Sequence, residues 1–213
     1  IRQMREYVEI VRQVYSGQKV DYAGTYFRSH GFKIAFTCEH PLPIYMAALG
    51  PQMTRLAGRI GDGVIINMAP PSLVAEIAEG ARVAAREAGK DPESYAVVAK
   101  VRCSISQDLA AARAALKNIL TFYSLAAGYK EMLADRIGLR REVEMINETW
   151  KAKGFKEAAR QVPDEMLSAV PMIAATHPRE VRESLKPYFA AGATRVVVAY
   201  VPSTPEAVEE TVE

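Results

Sequence analysis

The chain has 213 residues, 49% hydrophobic and 24% charged, with a net charge of +2, which suits one domain with a substantial core. That balance shows no bias toward nucleic acid or a membrane surface, and no apolar run approaches the roughly 20 residues that span a bilayer. Two cysteines, Cys38 and Cys103, are too few for a disulfide scaffold, and His30, His40 and His177 carry no ligand spacing, so no metal is expected.

The chain opens at Ile1 already inside a helical pattern, with Met4, Tyr7, Val8, Val11, Val14 and Tyr15 forming one apolar stripe that ends at Gly17. With no cap or targeting segment before it, the expectation is a piece of a longer protein whose default compartment is the cytoplasm. Lys19 to Phe27 alternates around Ala23-Gly24 and predicts a small hairpin, followed by a loop over 28–42 and a first core strand over 43–48. Gly50-Pro51 then starts a helix over 51–60, in which Met53, Leu56, Ala57 and Ile60 share one face. Gly61 ends it, Asp62-Gly63 turns, and 63–67 is a second strand. Strand, helix, strand joined by short turns is a βαβ unit, which implies parallel strands with ligand-binding turns at their C-terminal ends.

Further on, Pro70-Pro71 and a Ser72 N-cap open a helix buried through Leu73, Ile77, Ala78, Ala81 and Ala84. Tyr95 to Ser106 is the longest strand. One of its faces runs Ala96, Val98, Lys100, Arg102, Ser104, Ser106 and turns polar toward its end, either as a pocket lining or as a solvated strand end. A helix over 107–127 follows, and 128–161 reads as short helices broken at Gly138 and Gly154, with Arg140-Arg141 and Glu142 on a solvated face. A short helix over 164–170, a helix capped by Thr176 or His177, a last strand from Arg195 to Val201 and a terminal helix from Pro205 complete the chain. Four core strands are expected, in an α/β fold with a helical excursion before the last strand. A closed parallel barrel needs eight. The expected architecture is the C-terminal half of a (β/α)8 TIM barrel, with residues 1–213 as a single domain.

The Gly50-Pro51 step is the sharpest chemical signal. Proline suits the first helical position, glycine admits close approach to the backbone, and the amides of Gln52 and Met53 lack partners within the helix. Two readings stand: a phosphate site, or a plain strand-to-helix turn. Nothing in the chain has the spacing of a general acid or a nucleophile, so no catalytic residue is named. Asn67, at the end of the second strand, faces the same side as the turn.

The segments from Pro43 through Met53 and from Leu56 through Asn67 (Leu-Ala-Gly-Arg-Ile-Gly-Asp-Gly-Val-Ile-Ile-Asn) resemble the bacterial luciferase-like superfamily. Within it, the likeness is to methylenetetrahydromethanopterin reductases that use coenzyme F420, a deazaflavin. Tyr22-Ala23-Gly24-Thr25-Tyr26-Phe27, Cys103-Ser104-Ile105 and Gly192-Ala193-Thr194-Arg195 are similar as well. The resemblance implies an oxidoreductase that transfers hydride between reduced F420 and a small organic substrate, with an FMN-dependent monooxygenase or a non-catalytic barrel half used for binding or assembly as alternatives. It also implies a homo-oligomer, while the charge balance already argues for neither nucleic acid nor membrane as a partner. By position, Ala47, Ala48, Leu49, Gly50, Pro51, Gln52 and Met53 would lie along the cofactor's tail and phosphate, and Asn67 would contact cofactor or substrate. Arg102 stands where the reductases have a smaller residue and Lys100 where they tend to have an aromatic, two departures that count against carrying over the pterin substrate. Arg102, with Ser104, would instead meet an acidic substrate or a cofactor carboxylate, or else Arg102 forms a structural ion pair. The resemblance places much of the chemistry in a first barrel half absent from this chain.

Overall fold

A computed structural model describes residues 1–36 and 40–204, so Cys38 and the helix expected from Pro205 lie outside the described residues. The chain divides into two compact units, Ile1–Ile66 with Ala75–Val98, and Asn67–Val74 with Ala99–Glu213.

In the first unit, helix α1 (Arg2–Tyr15) precedes an antiparallel hairpin of β1 (Val20–Ala23) and β2 (Arg28–Phe32). The second hairpin strand occupies part of the expected loop. The stripe on α1 is also less buried than its pattern suggests: Val8 is enclosed, but Tyr7 is 54% exposed. What holds the hairpin turn is Glu6. Its carboxylate accepts the backbone N–H groups of Thr25, Tyr26 and Phe27 at 2.9, 2.8 and 3.1 Å. Desolvation pushes the Glu6 carboxyl upward, but these donors outweigh it and hold the group below the ordinary value of 4.5. A depressed carboxyl contributes stability above its unfolded pKa and loses it as pH falls through the folded one. Glu6 should therefore steepen the loss of stability as pH falls from its unfolded toward its folded pKa, and Glu6→Gln, less stable at neutral pH, should flatten that limb of a melting-temperature profile.

The βαβ unit forms, its helix and second strand with the expected bounds and its first strand shorter than the expected 43–48. Strand β3 (Tyr45–Ala47) pairs in parallel with β4 (Gly63–Asn67), in the register Tyr45 to Gly63 and Ala47 to Ile65, and α2 (Pro51–Ile60) connects them. Asp62 fixes the return turn. Its carboxylate accepts the Ile44 N–H at 2.8 Å and the Arg12 guanidinium at 2.9 Å, while its own N–H donates to Ile44 O. Helix α3 (Pro71–Glu87) starts two residues earlier than a Ser72 cap allows, with Val74 N–H donating to Pro70 O. The packing of α2 on α3 depends on Gly58: a Cβ there would sit 2.3 Å from Ala81 O and 2.7 Å from Ala84 Cβ. Strand β5 (Ala96–Ile105) joins this unit at its start, where Ala96 N–H donates to Asp62 O.

In the second unit the remainder of β5 pairs in parallel with β6 (Met172–Ala175), Arg102 opposite Met172 and Ile105 opposite Ala175. Strand β7 (Arg195–Tyr200) pairs with β5 too, and Val201 N–H just beyond it donates to Cys103 O at 2.7 Å. β6 is a fifth core strand where four were expected. One face of β5 packs Cys103 against Ala175 and Val181, with Ile105, Ile173 and Tyr200 around them, and burial pushes the Cys103 thiol pKa up. Helix α4 (Leu109–Leu125) is capped by Asp108, whose carboxylate accepts the N–H groups of Ala110 and Ala111.

The excursion then follows its expected breaks. Helix α5 (Tyr129–Glu131) runs into a π-helical turn over Met132–Arg136, and α6 (Arg140–Lys153) and α7 (Phe155–Arg160) are separated at Gly138 and Gly154, both at positive φ. Asn147 ties α6 to α4 by donating to Ser124 O at 3.0 Å. After α8 (Asp164–Ser168), His177 rather than Thr176 caps α9 (Pro178–Ala190), its Nδ1 accepting Arg179 N–H, while Thr176 Oγ1 bonds Glu180. The fold is α/β, a parallel sheet with helices. No helix among the described residues is long and apolar enough to cross a membrane.

Candidate functional site

In the first unit, the chain leaves β3 and enters α2 through the expected turn. Ala47 is exposed and Ala48 is buried, and the Ala48 N–H is committed to Ile65 O at 3.2 Å. Of the residues expected along an anion, Ala48 therefore has no amide to offer. Gly50 is the helix N-cap in extended geometry (φ −102°, ψ 158°), and its carbonyl accepts both the N–H and the Oγ1 of Thr54 at 3.0 Å. No side chain caps this helix, its first turn holds no acidic residue, and Pro51 stands at the start without an N–H. The amides of Gln52 and Met53 lie in the first turn, where helix geometry supplies no acceptor. A Cβ built on Gly50 meets nothing within 4 Å. Open space, uncommitted donors and the positive end of the helix dipole fit a phosphate ester. Beside this turn, Gln52 and Arg55 line a cavity of about 360 Å³ with Arg2, Arg5 and Arg59. Arg59 is paired with Glu87 at 3.2 Å, and the others add positive potential on that flank.

The second unit holds Asn67, Arg102 and Ser104. The solvated-end reading of β5 is overturned: Arg102 is 7% exposed and Ser104 0%. Arg102 Nη1 donates to Asn67 Oδ1 at 2.8 Å and to Met68 Sδ at 3.4 Å, and Nη2 donates to Tyr123 Oη at 2.5 Å. Asn67 Nδ2 in turn donates to Tyr129 Oη at 2.8 Å. The guanidinium carbon lies 4.7 Å from the centre of the Tyr123 ring, and that ring meets Tyr129 edge-on at 4.6 Å. A structural ion pair was one expectation for Arg102. Among the described residues all of these partners are uncharged, so that expectation fails. Met68, next after Asn67, has φ 62° and is fully buried, a conformation uncommon for a side-chain-bearing residue. It turns the thioether onto the arginine. Ser104 Oγ is buried with no hydrogen-bond partner.

Two tyrosines and a methionine at this cluster were not legible as site residues. Tyr123 reads as one more residue of an Ala- and Leu-rich helix, and Tyr129 sits just before the π-helical turn. Only the paired carboxamide and guanidinium on neighbouring strand ends mark the place in sequence. Among the described residues no group of three or more His, Cys, Asp or Glu is placed to hold a metal.

The family model for luciferase-like monooxygenases matches residues 1–195. The chain is 33% identical over 202 residues to 5,10-methylenetetrahydromethanopterin reductase of Archaeoglobus fulgidus, covering 92% of this chain and 59% of that protein. It is 31% identical over 202 residues to F420-dependent glucose-6-phosphate dehydrogenase of Nocardia farcinica, covering 91% and 53%. The solved coenzyme F420-dependent tetrahydromethanopterin reductase from Methanopyrus kandleri superposes with a TM-score of 0.79 at 26% identity, over 98% of this chain and 60% of that one. The chain thus spans somewhat more than half the length of these relatives, and it belongs to the luciferase-like monooxygenase family.

Proposed function

We propose that this chain is part of a coenzyme F420-dependent oxidoreductase, and that residues 1–213 supply the C-terminal portion of a (β/α)8 barrel. The observation that carries the reading is the open, uncapped start of α2 at Gly50-Pro51. The cofactor's phosphate rests there on the amides of Gln52 and Met53, with Ala47, Ala48, Leu49 and Pro51 shaping the path of its tail. When bound, the deazaflavin supplies two-electron chemistry, exchanging a hydride with an organic substrate. The residues of this chain bind, orient and exclude water. Gly50 leaves room for the ester oxygens, Thr54 fixes the Gly50 carbonyl so that the turn does not move, and Asn67 holds Arg102 in one orientation. The coverage of F420-dependent relatives at 59% and 53% of their lengths supports the partial-barrel reading. A small molecule as substrate, a homo-oligomeric state and a cytoplasmic location complete the proposal.

The test is a titration of the intact gene product carrying this chain with F420 and, separately, with FMN, followed by equilibrium dialysis. Retention of the deazaflavin with FMN passing through is the expected result. Retention of FMN alone would replace this reading by a flavin-dependent monooxygenase.

A further inference from the structure

Arg102 and Ser104 carry an observation that cofactor binding at α2 leaves unexplained. A buried guanidinium is normally matched by a carboxylate, because moving its charge out of water is costly unless it is paired. Here the charge is enclosed and held by an amide oxygen, a thioether and a phenol. A guanidinium has five N–H donors. Two contacts on Nη1 and one on Nη2 leave the Nε–H and one Nη2–H, a pair suited to the two oxygens of a carboxylate or phosphate. Two residues along β5, and therefore on the same face, Ser104 Oγ is sealed without a partner, which is rare for a buried hydroxyl. Among the described residues Arg102 has no counter-charge and Ser104 Oγ no partner, and one small oxyanion on this strand face would answer both.

We propose that Arg102 and Ser104 form an oxyanion site that takes the carboxylate or phosphate of the substrate, so that the substrate of this oxidoreductase is an acidic small molecule. The proposal rests on the oxidoreductase reading above. Asn67, Tyr123 and Tyr129 act as positioning residues: they fix the plane of the guanidinium without neutralising it, and the anion completes the charge balance.

Inorganic phosphate is the probe, measured by thermal shift on the intact gene product against sodium chloride at equal ionic strength. Ser104→Ala removes an unpartnered hydroxyl and should fold as well as wild type, yet bind phosphate about tenfold more weakly, the effect of one hydrogen bond to a charged group. Arg102→Met should abolish that component; where this variant does not fold, Ser104→Ala decides alone. Gly50→Val, which blocks the α2 start, should keep the serine-dependent response. The affinity of Ser104→Ala for F420 should stay within about twofold of wild type. Equal phosphate affinity in wild type and Ser104→Ala would overturn the site, and a parallel loss of F420 affinity would reassign the anion to the cofactor. Failure of the F420 titration with the serine dependence intact would sink the cofactor reading and leave the oxyanion site standing.

Discussion

Replacing Gly50 by valine is expected to lower the affinity of the intact gene product for F420 by at least tenfold, about 1.4 kcal/mol, while the fold survives. The two effects separate because of where the new atoms go. The built Cβ meets no protein atom within 4 Å, and the backbone at φ −102° and ψ 158° is one that valine adopts freely. The cost to the protein is confined to a poorer N-cap, about 1 kcal/mol. The cost to the ligand is steric, since the branched side chain fills the space in front of the Gln52 and Met53 amides. Equilibrium dialysis gives the affinity and a thermal melt gives the fold. An unchanged affinity would remove the turn from the cofactor site.

Gly58→Leu should do the reverse and break the fold without touching the turn. At Gly58 the backbone of α2 lies so close to α3 that even a Cβ would be 2.3 Å from a backbone oxygen, which cannot rotate away. Overpacking of this kind costs about 1–3 kcal/mol when neighbours can yield. Here the obstruction includes the main chain at Ala81, so the upper end or a failure to fold is expected. Denaturant midpoints measure it, and a variant as stable as wild type would show that α2 and α3 pack differently from the geometry described.

The contrast between these glycines shows what was legible in sequence. Helix α2 and strand β4 fall within the expected bounds because every signal there is local: proline at the first position, glycine at the stop, and an apolar repeat between them. The parallel α/β arrangement followed from the short connections. β2 was lost in an expected loop because Arg28-Ser29-His30-Gly31-Phe32 shows no apolar alternation, its backbone includes Gly31 at φ 71°, and its residues are exposed or half-exposed. β6 was missed because a four-residue apolar run directly after a short helix does not differ in period from a helix end. At the site, Asn67 and Arg102 could be singled out from strand ends. What they do to one another could not, because Tyr123 and Tyr129 reach them across 21 and 62 residues of chain, and the left-handed backbone of Met68 has no local signature.

The most direct test of the α2 start as the phosphate cradle is amide nuclear magnetic resonance of the intact gene product during titration with F420. The Gln52 and Met53 N–H resonances are expected to move early and furthest, downfield as charged acceptors arrive, while the Ala48 amide, already bonded to Ile65 O, moves little. Saturation of the protein with cofactor while the Gln52 and Met53 resonances stay in place would contradict it.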